Sequence, residues 1–117
     1  MHIVTQILAV LVAIEFFYIC YLETFATTSK TTARVFNLSQ EELATPALNT
    51  LFKNQGVYNG LVGVLVLVAV LVASKLWLGL LLAYIVLVAI YGGVTSDKAI
   101  ILKQGGIAIL ALLSLFL

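Results

Sequence analysis

The fold is decided by the stretch Leu61–Ile90, "LVGVLVLVAVLVASKLWLGLLLAYIVLVAI", in which Lys75 is the one charged residue. A helix that crosses the hydrocarbon core of a bilayer needs about 20 mostly apolar residues. The stretch belongs to two such runs, which are separated only by Ser74 and Lys75. The pattern therefore predicts two transmembrane helices, over residues 55–74 and 76–94, joined by a tight antiparallel hairpin.

The composition of the whole chain agrees with a membrane protein. Of the 117 residues, 63% are hydrophobic and 9% are charged, and the mean hydropathy is +1.20, far from the balance of a soluble domain. The net charge of +1 gives no reason to expect nucleic acid as a partner. One cysteine and one histidine provide neither a disulfide framework nor a metal site, so we expect no metal and no cofactor.

Two further apolar runs, over residues 3–25 and 99–116, complete a set of four predicted spans. No basic residue precedes the first run and no small-residue cleavage site follows it, so we expect the first helix to be retained. We predict an all-α fold, an integral membrane four-helix bundle that forms a single transmembrane domain over residues 1–117.

The long connection between the first two helices should contain a capped helical segment. Ser39 and Glu42 have the spacing of a capping box. Pro46 suits the first turn of a helix with Thr45 as its cap, so the second helix begins near residue 46 or, at the latest, near residue 55. An apolar stripe that includes Leu48 and Phe52 would then lie along the membrane surface. We interpret residues 26–45 as the connecting loop and its first part as polar and partly mobile.

The basic residues predict the orientation of the chain. Lys75 lies on one side of the predicted bundle, and the other five basic residues lie on the opposite side; these are Lys30, Arg34, Lys53, Lys98 and Lys103. Cytoplasmic loops are enriched in lysine and arginine. We therefore expect a multi-pass protein of the plasma membrane, with the 26–54 connection in the cytoplasm and both termini outside.

Polar side chains inside the predicted spans mark a candidate site. Glu15 lies about 18 Å beyond Ile3 at ~1.5 Å per residue, close to mid-bilayer, and a carboxylate at this depth needs a partner or a wet cavity. Most of the other polar side chains fall in the cytoplasmic half. The candidate ligand or proton site consists of Glu15, Tyr18, Glu23, Asn54, Gln55, Tyr58, Asn59, Tyr91 and Gln104. We predict a polar pocket that is floored by Glu15 and open to the cytoplasmic side.

The second helix also has a face of small residues beside its polar face. Gly56, Gly60 and Gly63 lie on this face, and Gly56 with Gly60 forms a GxxxG pair, which allows close helix–helix approach. We assign the three glycines to helix packing. Together with the small size of the chain, they favour a homodimer.

Four segments together resemble a known bacterial family. These are "IEFFYICYLETF" from Ile14, "NQGVYNG" from Asn54, "YGGVTSDKAI" from Tyr91 and "KQGGIAILAL" from Lys103. In this order and spacing they are similar to domain-of-unknown-function family 1304, a family of small bacterial membrane proteins, over nearly the whole chain. The family often has a Trp and a Pro after the first helix, where this chain reads "FATTSKTTAR". The resemblance implies a bacterial inner membrane protein but no reaction or ligand.

A glutamate midway through the first of four short helices also looks like the small multidrug resistance transporters, in which such a residue binds protons and cationic drugs. The long connection and the "NQGVYNG" element depart from that pattern. This second likeness is therefore an analogy for the chemistry at Glu15 and not for the family.

Three functions stay open. The favoured one is binding or transport of a small lipophilic or cationic molecule within the membrane. The first alternative is an intramembrane enzyme, an isomerase or hydrolase of a lipid-like substrate. The second is a purely structural or partner-binding membrane subunit, in which Glu15 and Glu23 only fix the helix register. In that structural interpretation Glu23 could pair with Arg34 or Lys53, and Asn54 and Gln55 could cap the second helix.

Overall fold

The computed structural model of the protein describes residues 1–96 and 99–117. Lys98, which contributes to the predicted orientation, lies outside the described residues. Within the described residues the backbone forms helices and turns, without a strand. The elements, in chain order, are α1 (Ile3–Cys20), a π-helical segment (Tyr21–Phe25), α2 (Lys30–Phe36), α3 (Gln40–Leu43), α4 (Pro46–Leu71), α5 (Lys75–Thr95) and α6 (Ala99–Ser114).

Three helical segments are long and apolar enough to cross a membrane by length and composition. They are Ile3–Phe25, Pro46–Leu71 and Lys75–Thr95. The fourth predicted span corresponds to α6, which has 16 residues and falls short of the ~20 residues that a spanning helix needs. The all-α prediction is therefore confirmed, while a fourth membrane crossing stays a prediction.

The predicted hairpin between α4 and α5 is present and has a defined turn. Ala73 adopts a left-handed backbone conformation with φ 54°. The backbone N–H of Ser74 donates to the carbonyl of Ala69, and that of Ala73 donates to Val70, which is the bonding pattern of a Schellman helix end. The Ser74 hydroxyl then accepts a hydrogen bond from the N–H of Trp77 and so caps the start of α5.

The connection between α1 and α4 is more helical than the sequence predicts. Its first part, which the sequence predicts to be a loop, contains α2, so the prediction of a loop over these residues is wrong. Ser29 accepts a hydrogen bond from Thr32 N–H at the start of α2, and Asn37 ends the helix in a left-handed conformation. The capping box of Ser39 and Glu42 is confirmed at α3.

Helix α4 begins at Pro46, the earlier of the two predicted starts. The predicted side-chain cap is wrong, because the Thr45 hydroxyl donates to the carbonyl of Glu42 and does not accept a hydrogen bond from a backbone N–H of the new helix. The backbone carbonyl of Thr45 accepts from Asn49 N–H instead. At the same end of α4, the ring of Phe52 packs edge-on against Phe36 of α2, with ring centroids 5.1 Å apart.

The chain divides into two compact units. The first contains residues 1–13 and 64–117, and its core is formed by small and aliphatic side chains such as Val12, Val66, Leu82 and Ala108. A buried hydrogen bond joins the first and last helices of this unit, because the hydroxyls of Thr5 and Ser114 lie 2.7 Å apart.

The second unit contains residues 14–63. Its buried apolar side chains include Phe16, Leu22 and Leu43. The hydroxyl of Thr32, which is fully buried, donates to the carbonyls of Ala26 and Leu22. It ties α2 to the end of the first span. All the candidate site residues except Tyr91 and Gln104 belong to this unit.

Candidate functional site

The first span changes its helical geometry where it carries Glu23. Over Tyr21–Phe25 the helix widens to a π turn, and the N–H of Ala26 donates to the carbonyl of Tyr21, five residues earlier, at 2.9 Å. π turns inside helices are rare and are frequent at functional sites. The sequence predicts one continuous helix over residues 3–25 and has no signal for this widening.

Glu23 is buried and bonded across the unit. Its side chain is 4% exposed, and its Oε1 accepts a hydrogen bond from Nδ2 of Asn59 at 2.5 Å. Asn59 is itself buried. The structure thus brings together two of the candidate site residues, one from the π-helical segment and one from α4.

A ring of polar contacts surrounds the backbone of the π-helical segment. The Thr27 hydroxyl donates to the carbonyl of Glu23 at 2.7 Å. The ammonium of Lys53 donates to Thr27 Oγ1 at 3.2 Å and lies 3.4 Å from the carbonyl of Thr24. The Thr24 hydroxyl in turn donates to the carbonyl of Lys53 at 3.0 Å. The suggested pairing of Glu23 with Lys53 or Arg34 is therefore wrong, because Lys53 is bound by threonines and Glu23 by an amide.

The sequence interpretation missed Thr24 and Thr27 as parts of this arrangement. Thr27 lies in the turn that follows the π-helical segment, beyond the helix that the sequence predicts, so the rule for threonines within helices gave no signal for it. The contact of Thr24 with Lys53 spans 29 residues, and no local pattern predicts it.

Glu15 differs from Glu23 in having an unused acceptor atom. Its side chain is half-buried, but its Oε1 is buried and has no hydrogen-bond partner among the described residues. Buried polar atoms in proteins are nearly always hydrogen-bonded. This carboxylate oxygen lies in a helix long enough to span a membrane and lacks a partner. A hydrogen-bond donor from outside the chain would therefore be stabilised by bonding to it.

The other polar residues of the second unit do not join these glutamates. Tyr18 is 51% exposed and Tyr58 is 70% exposed, and Asn54 and Gln55 are exposed as well. The Asn54 amide donates to the carbonyl of Thr50 within its own helix. The arc of α4 that is buried carries Asn59 and the glycines, and the remaining polar residues lie beyond its edge. The sequence predicts that all these side chains gather in one pocket, and the structure does not bring them together.

Tyr91 and Gln104 lie in the first unit, where Tyr91 is exposed and Gln104 is half-buried. A shallow apolar groove of about 280 Å³ also belongs to the first unit and is lined by Gln6, Ile7, Val10, Leu11 and Val70. None of the candidate site residues lines this groove.

The glycines of α4 pack against the first span of the same chain. A Cβ added to Gly56 would collide with the Thr24 side chain and would meet the Thr24 backbone nitrogen at 3.0 Å. A Cβ on Gly60 would lie 2.8 Å from Cys20 Sγ. Gly63 is buried. Because Gly56 and Gly60 are used within the chain, they give no support to a homodimer.

Among the candidate site residues, the second unit contains two separate carboxyl groups: that of Glu23 has an amide partner, and that of Glu15 has an oxygen without a partner among the described residues. Within residues 1–96 and 99–117 no three His, Cys, Asp or Glu side chains come close enough to hold a metal ion. The arrangement can accept hydrogen bonds and balance one positive charge at each glutamate. A pair of cooperating carboxyl groups is disfavoured, since Glu15 and Glu23 are separated by about 12 Å along the helix.

Comparisons with known proteins agree with one another. The chain is 60% identical over 118 residues to the "Uncharacterized protein YpaA" of Lactococcus lactis subsp. lactis (strain IL1403), with 99% of each chain covered. No solved structure matches the chain. Residues 10–116 match the family described as "Protein of unknown function (DUF1304)", so the chain belongs to this family of bacterial proteins, as the sequence segments predicted.

Proposed function

We propose that this protein is a plasma-membrane protein that binds a small lipophilic cation at Glu15. The observation that carries the proposal is the buried Oε1 of Glu15, which lacks a hydrogen-bond partner among the described residues. A protonated amine supplies both things that this atom needs, a hydrogen-bond donor and a positive charge. Charge-assisted hydrogen bonds of this kind are stronger than neutral ones.

Glu23 is assigned a different role. Its Oε1 already accepts from Asn59, and the π turn that carries it is held by Thr27. These contacts connect the first span to α4 and favour a structural role for the Glu23–Asn59 pair. The sequence predicts a ligand site of nine residues. The site that we propose is smaller and is centred on Glu15.

The position of Glu15 on α1 indicates an apolar body for the ligand. Within the second unit, Phe16 on one side of Glu15 is buried, while Ile14 on the other side is exposed. Glu15 itself is half-buried, at the border between the buried and the exposed positions of the helix. A ligand that dissolves in the bilayer and carries one ammonium group fits this setting, because its hydrocarbon part stays among apolar side chains and lipid.

The orientation of the protein belongs to the same proposal. Lys30, Arg34 and Lys53 lie in the second unit together with the Glu23–Asn59 pair, and the enrichment of basic residues in cytoplasmic segments supports a cytoplasmic position for the 26–54 connection. Whether the bound cation is also carried across the membrane depends on a second access route. Binding is therefore the function that we propose, and transport is its extension.

The test is a binding titration of the purified full chain in lipid nanodiscs. The probe is a fluorescent alkylamine with one primary ammonium group, and the matched alcohol of the same hydrocarbon body controls for partitioning into lipid. Glu15→Gln removes the charge with little change of shape. Glu41→Gln, a change of an exposed carboxylate, is the matched control variant.

We expect the amine to bind wild type and Glu41→Gln alike and to bind Glu15→Gln more weakly. Hydrogen bonds to charged groups contribute about 1.5–3 kcal/mol, which corresponds to a loss of affinity of roughly 10- to 150-fold. The alcohol should not distinguish the three proteins. Equal amine affinity in wild type and in a folded Glu15→Gln would refute the proposal.

A further inference from the structure

Lys53 is held in place by uncharged groups at the end of the first span. Its ammonium donates to Thr27 Oγ1 at 3.2 Å and lies 3.4 Å from the carbonyl oxygen of Thr24. The Thr27 hydroxyl gives its own proton to the carbonyl of Glu23, so its oxygen is left to accept from the lysine. The Thr24 hydroxyl donates in turn to the backbone carbonyl of Lys53. Both the backbone and the side chain of Lys53 are therefore fixed against the span.

These contacts do not neutralise the charge of the ammonium, because neither acceptor atom carries a charge. An ammonium group has three N–H donors, so one donor of Lys53 remains beyond these two contacts. Glu23 is bonded to Asn59, and Glu42 accepts from the backbone at the cap of α3. The other carboxylate of α3, Glu41, is exposed. Lys53 is itself exposed, and its remaining donor is therefore open to an anion from outside the chain.

Two more cations lie on a helix that is attached beside Lys53. Lys30 and Arg34 are both exposed, and their spacing of four residues places them on one face of α2. Phe36, the last residue of α2, packs edge-on against Phe52, the residue before Lys53. This contact fixes the end of α2 to α4 next to the positioned ammonium. The three cations thus belong to one compact unit.

The fixed ammonium lies at the depth where lipid headgroups begin. Thr24, whose carbonyl it approaches, is the next-to-last residue of Ile3–Phe25, a segment long enough to cross a membrane. The hydrocarbon core ends where such a helix ends, and the polar headgroup region follows it. Phe25 is 78% exposed, and aromatic side chains are enriched at this boundary. The anionic groups that occur at this depth are the phosphates of phospholipids.

We propose that Lys53, together with Lys30 and Arg34, binds the phosphate of an anionic phospholipid headgroup. The remaining donor of Lys53 forms a charge-assisted hydrogen bond to a phosphate oxygen, and the two cations of α2 attract the negative charge of the lipid. Because the threonines already position the ammonium, little side-chain entropy is lost when the lipid binds. This site is separate from Glu15 and does not depend on a cation bound there.

Lipid titration followed by native mass spectrometry tests the site. The purified full chain in mild detergent is titrated with phosphatidylglycerol, which is anionic, and with phosphatidylcholine of the same acyl chains, which has no net charge. Lys53→Gln removes the positioned ammonium. Lys75→Gln is the matched control, because it removes the same charge from an exposed lysine at the start of α5, at the hairpin.

Wild type and Lys75→Gln should bind phosphatidylglycerol more tightly than phosphatidylcholine and should not differ from each other. Lys53→Gln should bind phosphatidylglycerol about fivefold more weakly, which is the factor that one basic residue contributes near anionic lipid, and its affinity for phosphatidylcholine should not change. No preference for the anionic lipid in wild type, an equal loss in Lys75→Gln, or an undiminished preference in a folded Lys53→Gln overturns the proposal. The last result would leave Lys53 as a cap of the first span.

Arg34→Gln tests the same site without touching the contacts of Lys53. Because Arg34 is exposed on α2, this variant should fold even where Lys53→Gln does not, and it should weaken phosphatidylglycerol binding by up to about fivefold. An unchanged affinity overturns the site of three cations. Glycerol 3-phosphate at the concentration of the lipid should not displace the lipid from wild type. Displacement would overturn the lipid as the ligand in favour of a soluble phosphate.

Discussion

Replacement of Gly56 by alanine is expected to destabilise the second unit, although alanine is the better helix former. The Cβ of the new alanine would collide with Thr24 Oγ1 and would lie 3.0 Å from both the Thr24 backbone nitrogen and the Glu23 Cβ. The Thr24 side chain can rotate away, but the backbone nitrogen cannot move without shifting the π-helical segment. The helix and the first span must therefore separate slightly.

The expected magnitude follows from three contributions. Overpacking of a tight contact costs about 1–3 kcal/mol. Rotation of Thr24 also breaks its hydrogen bond to the carbonyl of Lys53, which costs about 0.5–1.5 kcal/mol. The higher helix propensity of alanine offsets about 1 kcal/mol. The free energy of unfolding should therefore fall by roughly 0.5–3.5 kcal/mol.

Gly106→Ala is the matched control. A Cβ at Gly106 in α6 would meet nothing within 4 Å, so only the propensity gain of about 1 kcal/mol remains. Reversible unfolding of the full chain in mixed micelles, followed by circular dichroism, measures both variants against wild type. Equal stability of Gly56→Ala and Gly106→Ala would show that the close approach of α4 to the first span is not present.

Further perturbations test two other contacts and the orientation of the chain. Asn59→Leu should lower the free energy of unfolding by about 1–3 kcal/mol, because it leaves the buried Glu23 carboxyl without its hydrogen-bond partner. Glu23→Gln keeps an acceptor for Asn59 and should lower the free energy of unfolding by less. Equal losses for the two variants, measured by unfolding in micelles, would contradict this reasoning. Thr5→Val and Ser114→Ala should be coupled by about 0.6 kcal/mol and at most ~1.7 kcal/mol in a double-mutant cycle, and additive effects would show that their bond contributes nothing. For the orientation, a thiol at Glu41→Cys should react with an impermeant reagent only after the cells are opened, and labelling of intact cells would reverse the proposed topology.

The sequence was informative where a local rule determines the structure. The apolar runs predicted the three long helices, and Ser74 and Lys75 marked the hairpin, because length and hydropathy suffice for both. The capping box at Ser39 and Glu42 was predicted for the same reason, since both partners lie within one turn. These features depend on neighbours in the chain and on nothing farther away.

The sequence was less informative where the contacts of a side chain depend on which part of its helix becomes buried. Helical periodicity placed Asn54, Tyr58 and Asn59 within one arc of α4, but an arc of roughly 140° is wider than the strip that one neighbouring helix covers. The glycines brought the first span against one edge of the arc, so Asn59 became buried and Tyr58 remained 70% exposed. The π turn at Glu23 and the threonine contacts of Lys53 depend on that packing, and α2 depends on Ser29 and Asn37 acting together at its two ends.

The measurement that tests the central claim most directly is native mass spectrometry of the full chain purified from its membranes in mild detergent. Wild type and the control Glu41→Gln should each retain an apolar molecule that contains a protonatable amine, and Glu15→Gln should lack it while keeping wild-type stability. The orphaned Oε1 of Glu15 would then be identified as the atom that the ligand satisfies. The same molecules bound to all three proteins, or none bound to any of them, would contradict a cation site at Glu15 and would leave the glutamate a structural role.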